Sequence, residues 1–169
     1  MFVLYFIRIY TNAWIYGFMD FKIRTAVFSD VKKLVDMLSD DKLGQTREDN
    51  STPLNSGYIK AFEAIDKDLN NEVIVMENEG RILGMLQLTF IPYLTHMGSW
   101  RCLIEGVRVH KDFRGQGLGA TLFKWSIERA KARDCKMIQL TSDKQRPQAL
   151  QFYEMLGFKA SHEGFKLIL

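Results

Sequence analysis

Glycine recurs at every second position directly behind an arginine in Arg114-Gly115-Gln116-Gly117-Leu118-Gly119-Ala120. Three glycines so close together cost backbone entropy on folding, so the stretch should hold something that compensates. A strand-like run precedes it and a helix-like run follows. Free N–H groups and the dipole at a helix start form an anion site, and glycines let phosphate oxygens approach the backbone with no Cβ between them. Lys111 and Arg114 add charge at its mouth. A second group with chemical potential is Glu105, in the strand "CLIEGVRV" just ahead. Alternation puts Leu103, Glu105, Val107 and Val109 on one face. A carboxylate among apolar neighbours is costly to bury unless partnered, and partial desolvation would strengthen it as a base. Two other roles suit it as well: pairing with Arg101 or Arg108, or orienting an ammonium without taking its proton.

Other chemistries find less support. The histidines His96, His110 and His162 are scattered without ligand spacing, so no metal is expected. Cys102 and Cys135 form no CxxC pair and read as small hydrophobes in a reduced, cytoplasmic protein. No segment reaches the roughly 18 apolar residues needed to span a bilayer. The net charge is +3, concentrated in residues 108–146, where 10 basic residues face 4 acidic ones. A basic segment centred on a glycine loop suits a phosphorylated ligand, although solvated helix faces would give the same count. Nucleic acid is not expected, because the excess is modest and no binding motif accompanies it.

These groups must be positioned by surrounding elements. The 169 residues suffice for one domain with a sizeable core. Residues 1–18 are aromatic and apolar, interrupted by Arg8 and Asn12, and make a poor signal peptide. An upstream start in the gene model is the preferred explanation, against an extra strand or an interfacial anchor; residues 19–169 then form the domain. Alternation predicts a strand over 21–25. Ser29 or Asp30 caps a helix to about Ser39 with Val31, Leu34, Val35 and Leu38 on its apolar face. A polar loop over 40–56 and a helix over 57–68 follow. Strands are expected at 72–77 and 81–90 around a Gly80 hairpin turn, then an aromatic loop at 91–100 and a strand at 102–109. A helix runs from the glycine loop to about Arg133, and a strand covers 137–141. Pro147 opens a helix that Gly157 closes, and short strands near 158–161 and 164–169 end the chain. The order implies a single α/β domain with a mixed sheet.

Three phosphate-binding patterns compete for the loop. The P-loop GxxxxGK[ST] is absent. Gly115 to Ala120 fits the dinucleotide letters GxGxxA, but the loop does not follow the first strand of a βαβ unit, and Asp134 precedes the next strand instead of ending it. The third pattern fits the whole chain. "VRVHKDFRGQGLGATLF" resembles the acyl-CoA-binding motif of the GNAT superfamily of N-acetyltransferases, Arg/Gln-x-x-Gly-x-Gly/Ala, with Arg114, Gly117 and Gly119 at its defining positions. Downstream, "ALQFYEMLGF" resembles that family's closing helix through Ala149, Phe152, Tyr153, Gly157 and Phe158.

The resemblance implies the GNAT fold: a mixed, mostly antiparallel, twisted sheet flanked by about four helices. It implies acetyl-CoA as co-substrate, its pyrophosphate held at Arg114, Gly115, Gln116, Gly117, Leu118, Gly119 and Ala120. The strand edge at Val107 and Val109 would pair with the pantetheine arm, although valines there suit plain sheet packing too. Glu105 matches a glutamate that often deprotonates the amine. Tyr153 matches the tyrosine that protonates the departing thiolate, and a phenol of pKa ~10 suits that task; packing of the helix would explain it as well. Many relatives carry asparagine where this chain has Arg146, so Arg146 or Lys144 is the candidate for reaching a CoA phosphate instead. The implied activity is acetyl transfer to a primary amine by direct attack in a ternary complex, the acceptor being a small amine metabolite or amine drug. Asp40, Asp41, Glu48 and Asp49 would suit a cationic amine, and Tyr93, His96 and Trp100 its apolar portion, unless they are simply loop solvation and hairpin packing. The alternatives are acetylation of a protein N-terminus or lysine, a non-catalytic acyl-CoA sensor, and an interaction subunit. A homodimer is left open.

Overall fold

The computed structural model describes residues 20–40 and 42–168, so the aromatic N-terminal extension lies outside the described residues. Among the described residues five strands form one sheet in the order β1 (Lys22–Thr25), β2 (Asn71–Asn78), β3 (Arg81–Pro92), β4 (Trp100–Val109) and β5 (Cys135–Leu140). Neighbours are antiparallel except β4 and β5, which run parallel. The helices are α1 (Val31–Ser39), α2 (Lys42–Gln45), α3 (Ser56–Lys67), α4 (Thr95–Gly98), α5 (Leu118–Ala132) and α6 (Pro147–Met155). Four of these are substantial, which agrees with the expected architecture. α2 and α4 are single turns inside segments read as loops, too short to carry an amphipathic period.

Each face of the sheet has its own core. Alternation sends Ile74, Met76, Leu86, Leu88, Phe90, Cys102 and Ile104 to one side, against Leu118, Leu122, Phe123 and Ala130 of α5. On the other side Val73, Val75 and Met85 meet Val31, Leu34 and Val35 of α1 and Phe62 of α3. Fully burying one such side chain stabilises by about 1.5–3 kcal/mol. α5 approaches β3 so closely that a Cβ on Gly84 would lie 2.8 Å from the Leu122 side chain and 3.1 Å from the Arg108 carbonyl oxygen. This contact fixes the height of α5, and hence of the loop that feeds it, against the sheet. Between β2 and β3, Glu79 (φ 46°) and Gly80 (φ 80°) make the two-residue turn with both residues left-handed that suits a twisted hairpin.

Asp30 does not cap α1 through its side chain. Its carboxylate instead accepts from the Val27 N–H (2.9 Å) and from Arg24 (2.6 and 3.2 Å). Arg24 also donates to Glu77 (2.6 Å), tying β1, β2 and the start of α1 together.

The two expected C-terminal strands do not form among the described residues, and α6 is the last regular element. Phe158 is drawn into the aromatic group around Phe123 (5.9 Å between ring centroids) and Tyr153 (6.2 Å). Beyond it Phe165, Leu167 and Ile168 are exposed, and a Cβ at Gly164 would lie 4.0 Å from the Thr141 methyl group. A strand needs a neighbour to take its backbone hydrogen bonds.

Candidate functional site

β4 and β5 pair only from Trp100–Cys135 to Ile104–Leu140. β5 ends there, while β4 continues through residues 105–109 with no strand on that side. The sheet therefore opens into a cleft along β4. At its far end the His110 N–H donates to the Leu83 carbonyl (2.8 Å), making Val109 and Gly84 a non-hydrogen-bonded pair. In such a pair the N–H and C=O of Val109 turn away from β3, toward the cleft. An extended ligand arm could pair there as another strand would.

The glycine loop sits where this edge ends. A single 3-10 turn (Lys111–Phe113) leads from β4 into it. Gly115 (φ 76°) and Gly117 (φ 78°) are left-handed, and Gly117 is the residue on which α5 starts. A Cβ at Gly115 would meet nothing within 4 Å, so its glycine is needed for backbone conformation and open approach, not for internal packing. Gly119 lies inside the first turn, 3.6 Å in Cβ terms from Phe152 and 3.8 Å from Val109, and brings α5 close to α6 and β4. Gln116 is exposed and its amide donates to the Asp112 carbonyl (3.2 Å), Leu118 is buried in the core, and Ala120 is half-buried. Arg114 does more than open a motif. Its Nε donates to the Val109 carbonyl (3.0 Å), and its guanidinium pairs with the Asp40 carboxylate (2.9 Å) at the end of α1.

Glu105 requires a correction. Two β4 residues, Gly106 and Val107, stand opposite Leu86 alone, because Gln87 pairs with Glu105 and Met85 with Arg108. This is a bulge on Gly106, whose φ is +60°. The extra residue reverses the alternation. Val107 and Val109 pack with Ile104 on the α5 face, whereas Leu103 and Glu105 belong to the α1 face. Glu105 is therefore exposed on the face opposite the two valines, not set among them. Among the described residues no ion pair joins it to Arg101. The Leu38 side chain comes within 4.0 Å of the Cβ position at Gly106, so the end of α1 borders this part of β4.

Tyr153 reaches the opposite wall. Its ring packs on Phe123 (5.6 Å), Phe152 (5.5 Å) and Phe158 (6.2 Å). Burial raises its phenol above the ordinary value, while the positive charges of Arg146 and Arg108 pull the other way and lose. Arg146, at the start of α6, thus acts electrostatically on the tyrosine. Cys102 is fully buried, and burial pushes its thiol up to about 12, as suits a packing residue.

The acidic loop residues are already engaged. Asp40 and Glu48 line a polar pocket of about 280 Å³, but Asp40 holds Arg114. Glu48 holds Arg47 (2.6 Å) and accepts from the Tyr58 hydroxyl (3.0 Å). Asp49 is exposed and accepts from Ser51 and Asn55, and Asp41 lies outside the described residues. Trp100 packs on the α5 face, away from Tyr93 and His96, which stack on each other (6.0 Å). Sequence reasoning missed the Tyr93–Arg101–Gln139 arrangement on the α1 face. There the Arg101 guanidinium lies 3.7 Å over the Tyr93 ring and donates to Gln139 (2.8 Å). No local signal could reveal a contact between residues 38 positions apart.

A sheet opened along one strand, with a glycine-rich anion loop where that strand ends, is an architecture that can seat an extended ligand by its backbone and its anionic end. The acetyltransferase (GNAT) family model matches residues 33–158, and the chain belongs to that family. It is 34% identical to the glucosamine 6-phosphate N-acetyltransferase of Trypanosoma brucei brucei over 58% of this chain and 65% of the relative. It is 30% identical to the aminoalkylphosphonate N-acetyltransferase of Salmonella typhimurium over 64% of this chain and 70% of the relative. These matches span about two thirds of the relatives' own length. A crystal structure of a transcriptional regulator from Bacillus halodurans C-125 superposes with a TM-score of 0.87 at 57% identity, over 89% of this chain and 100% of that one. No helix among the described residues is long and apolar enough to cross a membrane.

Proposed function

We propose that this chain moves an acetyl group from acetyl-CoA to the primary amine of a small acceptor by direct attack. The observation that carries the reading is the continuous surface from the open edge of β4 into the glycine loop at the head of α5. An edge that pairs with an amide-bearing arm and a loop that accepts a pyrophosphate are the two halves of a CoA site. Residues 114–120 hold the anionic end through backbone N–H groups, and Val107 and Val109 hold the arm. The thioester, when bound, supplies an activated acetyl group. The Val109 N–H is turned toward the cleft and is the candidate donor to the thioester carbonyl oxygen. Glu105 receives or orients the amine from the α1 face, and Tyr153 returns a proton to the thiolate. Arg146 contributes positive charge beside Tyr153. The named substrates of the trypanosomal and Salmonella relatives are small amines, which supports a small acceptor.

The test is free-thiol release from acetyl-CoA across a panel of small amines and peptides, with Glu105→Gln alongside. Turnover with small amines, reduced about 10- to 100-fold by Glu105→Gln, is expected. Tight CoA binding without turnover on any amine would favour a second reading, an acyl-CoA-responsive regulator. That reading is supported by the 57% identical structure, which is named as a transcriptional regulator. Absence of CoA binding would sink both.

A further inference from the structure

On the α1 face of β4, alternation places Arg101, Leu103 and Glu105 in one row, opposite the buried Cys102 and Ile104. Arg101 and Glu105 lie four residues apart, about 13 Å of strand at ~3.3 Å per residue. The β3 residues beside them are polar too, Thr89 across from Leu103 and Gln87 across from Glu105. Both reach toward Asn71 on β2, Thr89 at 2.7 Å and Gln87 at 3.4 Å. A sheet face with this much hydrogen-bonding capacity is poorly suited to covering a core.

Arg101 is the most unusual member of the row. It is half-buried, its guanidinium carbon lies 3.7 Å over the centre of the Tyr93 ring, and one terminal nitrogen donates to the Gln139 side-chain oxygen at 2.8 Å. Its Nε is buried with no hydrogen-bond partner, and among the described residues Arg101 has no ion pair. Holding a guanidinium by its face and one corner fixes its plane and leaves donors and a full charge uncompensated. A desolvated cation without a counter-ion is unfavourable, and a planar fork is the geometry that binds oxyanions through two parallel hydrogen bonds.

We propose that Arg101 is the anion-recognition residue of the acceptor site, and that the acceptor is an amine carrying an oxyanion such as a phosphate or phosphonate. This rests on the amine-acetylation reading and adds to it which amine is taken. The amine end lies toward Glu105, the oxyanion toward Arg101, and the polar floor of Thr89, Gln87 and Asn71 faces a polar connecting portion. Tyr93 and Gln139 are positioning residues that hold the guanidinium plane.

The experiment uses the full chain and matched acceptors that differ only in the anion: glucosamine 6-phosphate against glucosamine, and 2-aminoethyl phosphate against ethanolamine. Steady-state kinetics and calorimetric binding in the presence of CoA are measured for wild type, Arg101→Gln and Arg101→Lys, with thermal unfolding to verify folding. The anionic member of each pair is expected to have a KM and Kd about 10- to 100-fold lower in the wild type. Arg101→Gln should remove that preference with kcat and the neutral member's KM little changed, and Arg101→Lys should restore part of it. Equal binding of the paired compounds to wild type would overturn the proposal, as would equal losses for both members in Arg101→Gln. If Arg101→Gln does not fold, the wild-type comparison and Arg101→Lys decide. Turnover without anion preference would sink this proposal and leave the acetyltransferase reading standing. Absence of turnover on every amine would sink that reading, and calorimetry would then decide this one alone.

Discussion

Tyr153 is set among three aromatic rings, and that setting determines what its hydroxyl can do. Burial lifts its pKa, and the opposing charges of Arg146 and Arg108 do not cancel the lift. The phenol therefore keeps its proton through and beyond the neutral range, and a decline in rate caused by its ionisation belongs above pH ~10. Tyr153→Phe removes the donor while leaving the ring stack in place. It should lower kcat by about 100-fold with the KM for acetyl-CoA little changed, and it should abolish any alkaline limb above pH ~10 in the kcat profile. An unchanged kcat would assign Tyr153 to packing alone. Motif spacing in the sequence marked Tyr153 and the glycine loop as candidates, and a carboxylate in an apolar strand marked Glu105. The side of the strand on which Glu105 lies was not, because one left-handed glycine reverses the count.

Among the elements, the junction of β1, β2 and α1 rests on one arginine between two buried carboxylates. The Asp30 and Glu77 side chains are 7% and 9% exposed, and Arg24 is 29% exposed. Burial works to raise the Asp30 carboxyl but is outweighed by Arg24 and the Val27 N–H, so it sits below the ordinary value. Hydrogen bonding to Arg24 first, with Lys22 assisting against burial, lowers Glu77 as well. Both folded-state values lie below the unfolded ones. Their stabilisation is thus fully present above the ordinary carboxylate pKa of ~4 and is lost as pH falls through the depressed values. Arg24→Met would leave the buried Asp30 carboxylate without its ion-pair partner and Glu77 with Lys22 alone at neutral pH, costing about 3 kcal/mol. The deficit should shrink once the carboxyls are protonated below pH ~4. Urea unfolding of both proteins at neutral and acidic pH measures this, and a deficit independent of pH would rule the account out.

For the whole molecule, the sheet separates α5 and α6 on one face from α1 and α3 on the other, and the cleft opens along β4 where β5 ends. A ligand seated in it should stabilise the fold by mass action. CoA at about 100 times its Kd should add ~2.7 kcal/mol, raising Tm by roughly 5–10 °C in a chain of this size. Gly117→Ala forces a Cβ into the left-handed residue on which α5 starts and should abolish most of that shift. A full shift in Gly117→Ala would remove the loop from the binding site. Scanning fluorimetry with and without CoA distinguishes the outcomes.

The order of elements and the donor loop could be read from the sequence because their causes are short-range. Glycines that must be left-handed, proline and glycine at helix ends, and periods of 2 and 3.6 residues all act within a few positions. The reading overreached at the C-terminus, where the strands expected near 158–161 and 164–169 do not form among the described residues and Phe165, Leu167 and Ile168 are exposed. Three further features depend on residues distant in the chain: the bulge at Gly106, the grip of Arg114 on Asp40, and the meeting of Tyr93, Arg101 and Gln139. Strand pairing and register decide these. The glycine motif and the closing-helix motif together therefore pointed to acyl-CoA as the donor. The face and partners of Glu105 and Arg101, the residues proposed to meet the acceptor, were decided only by the folded sheet, because a side chain's face and partners exist only once strands far apart in sequence have paired.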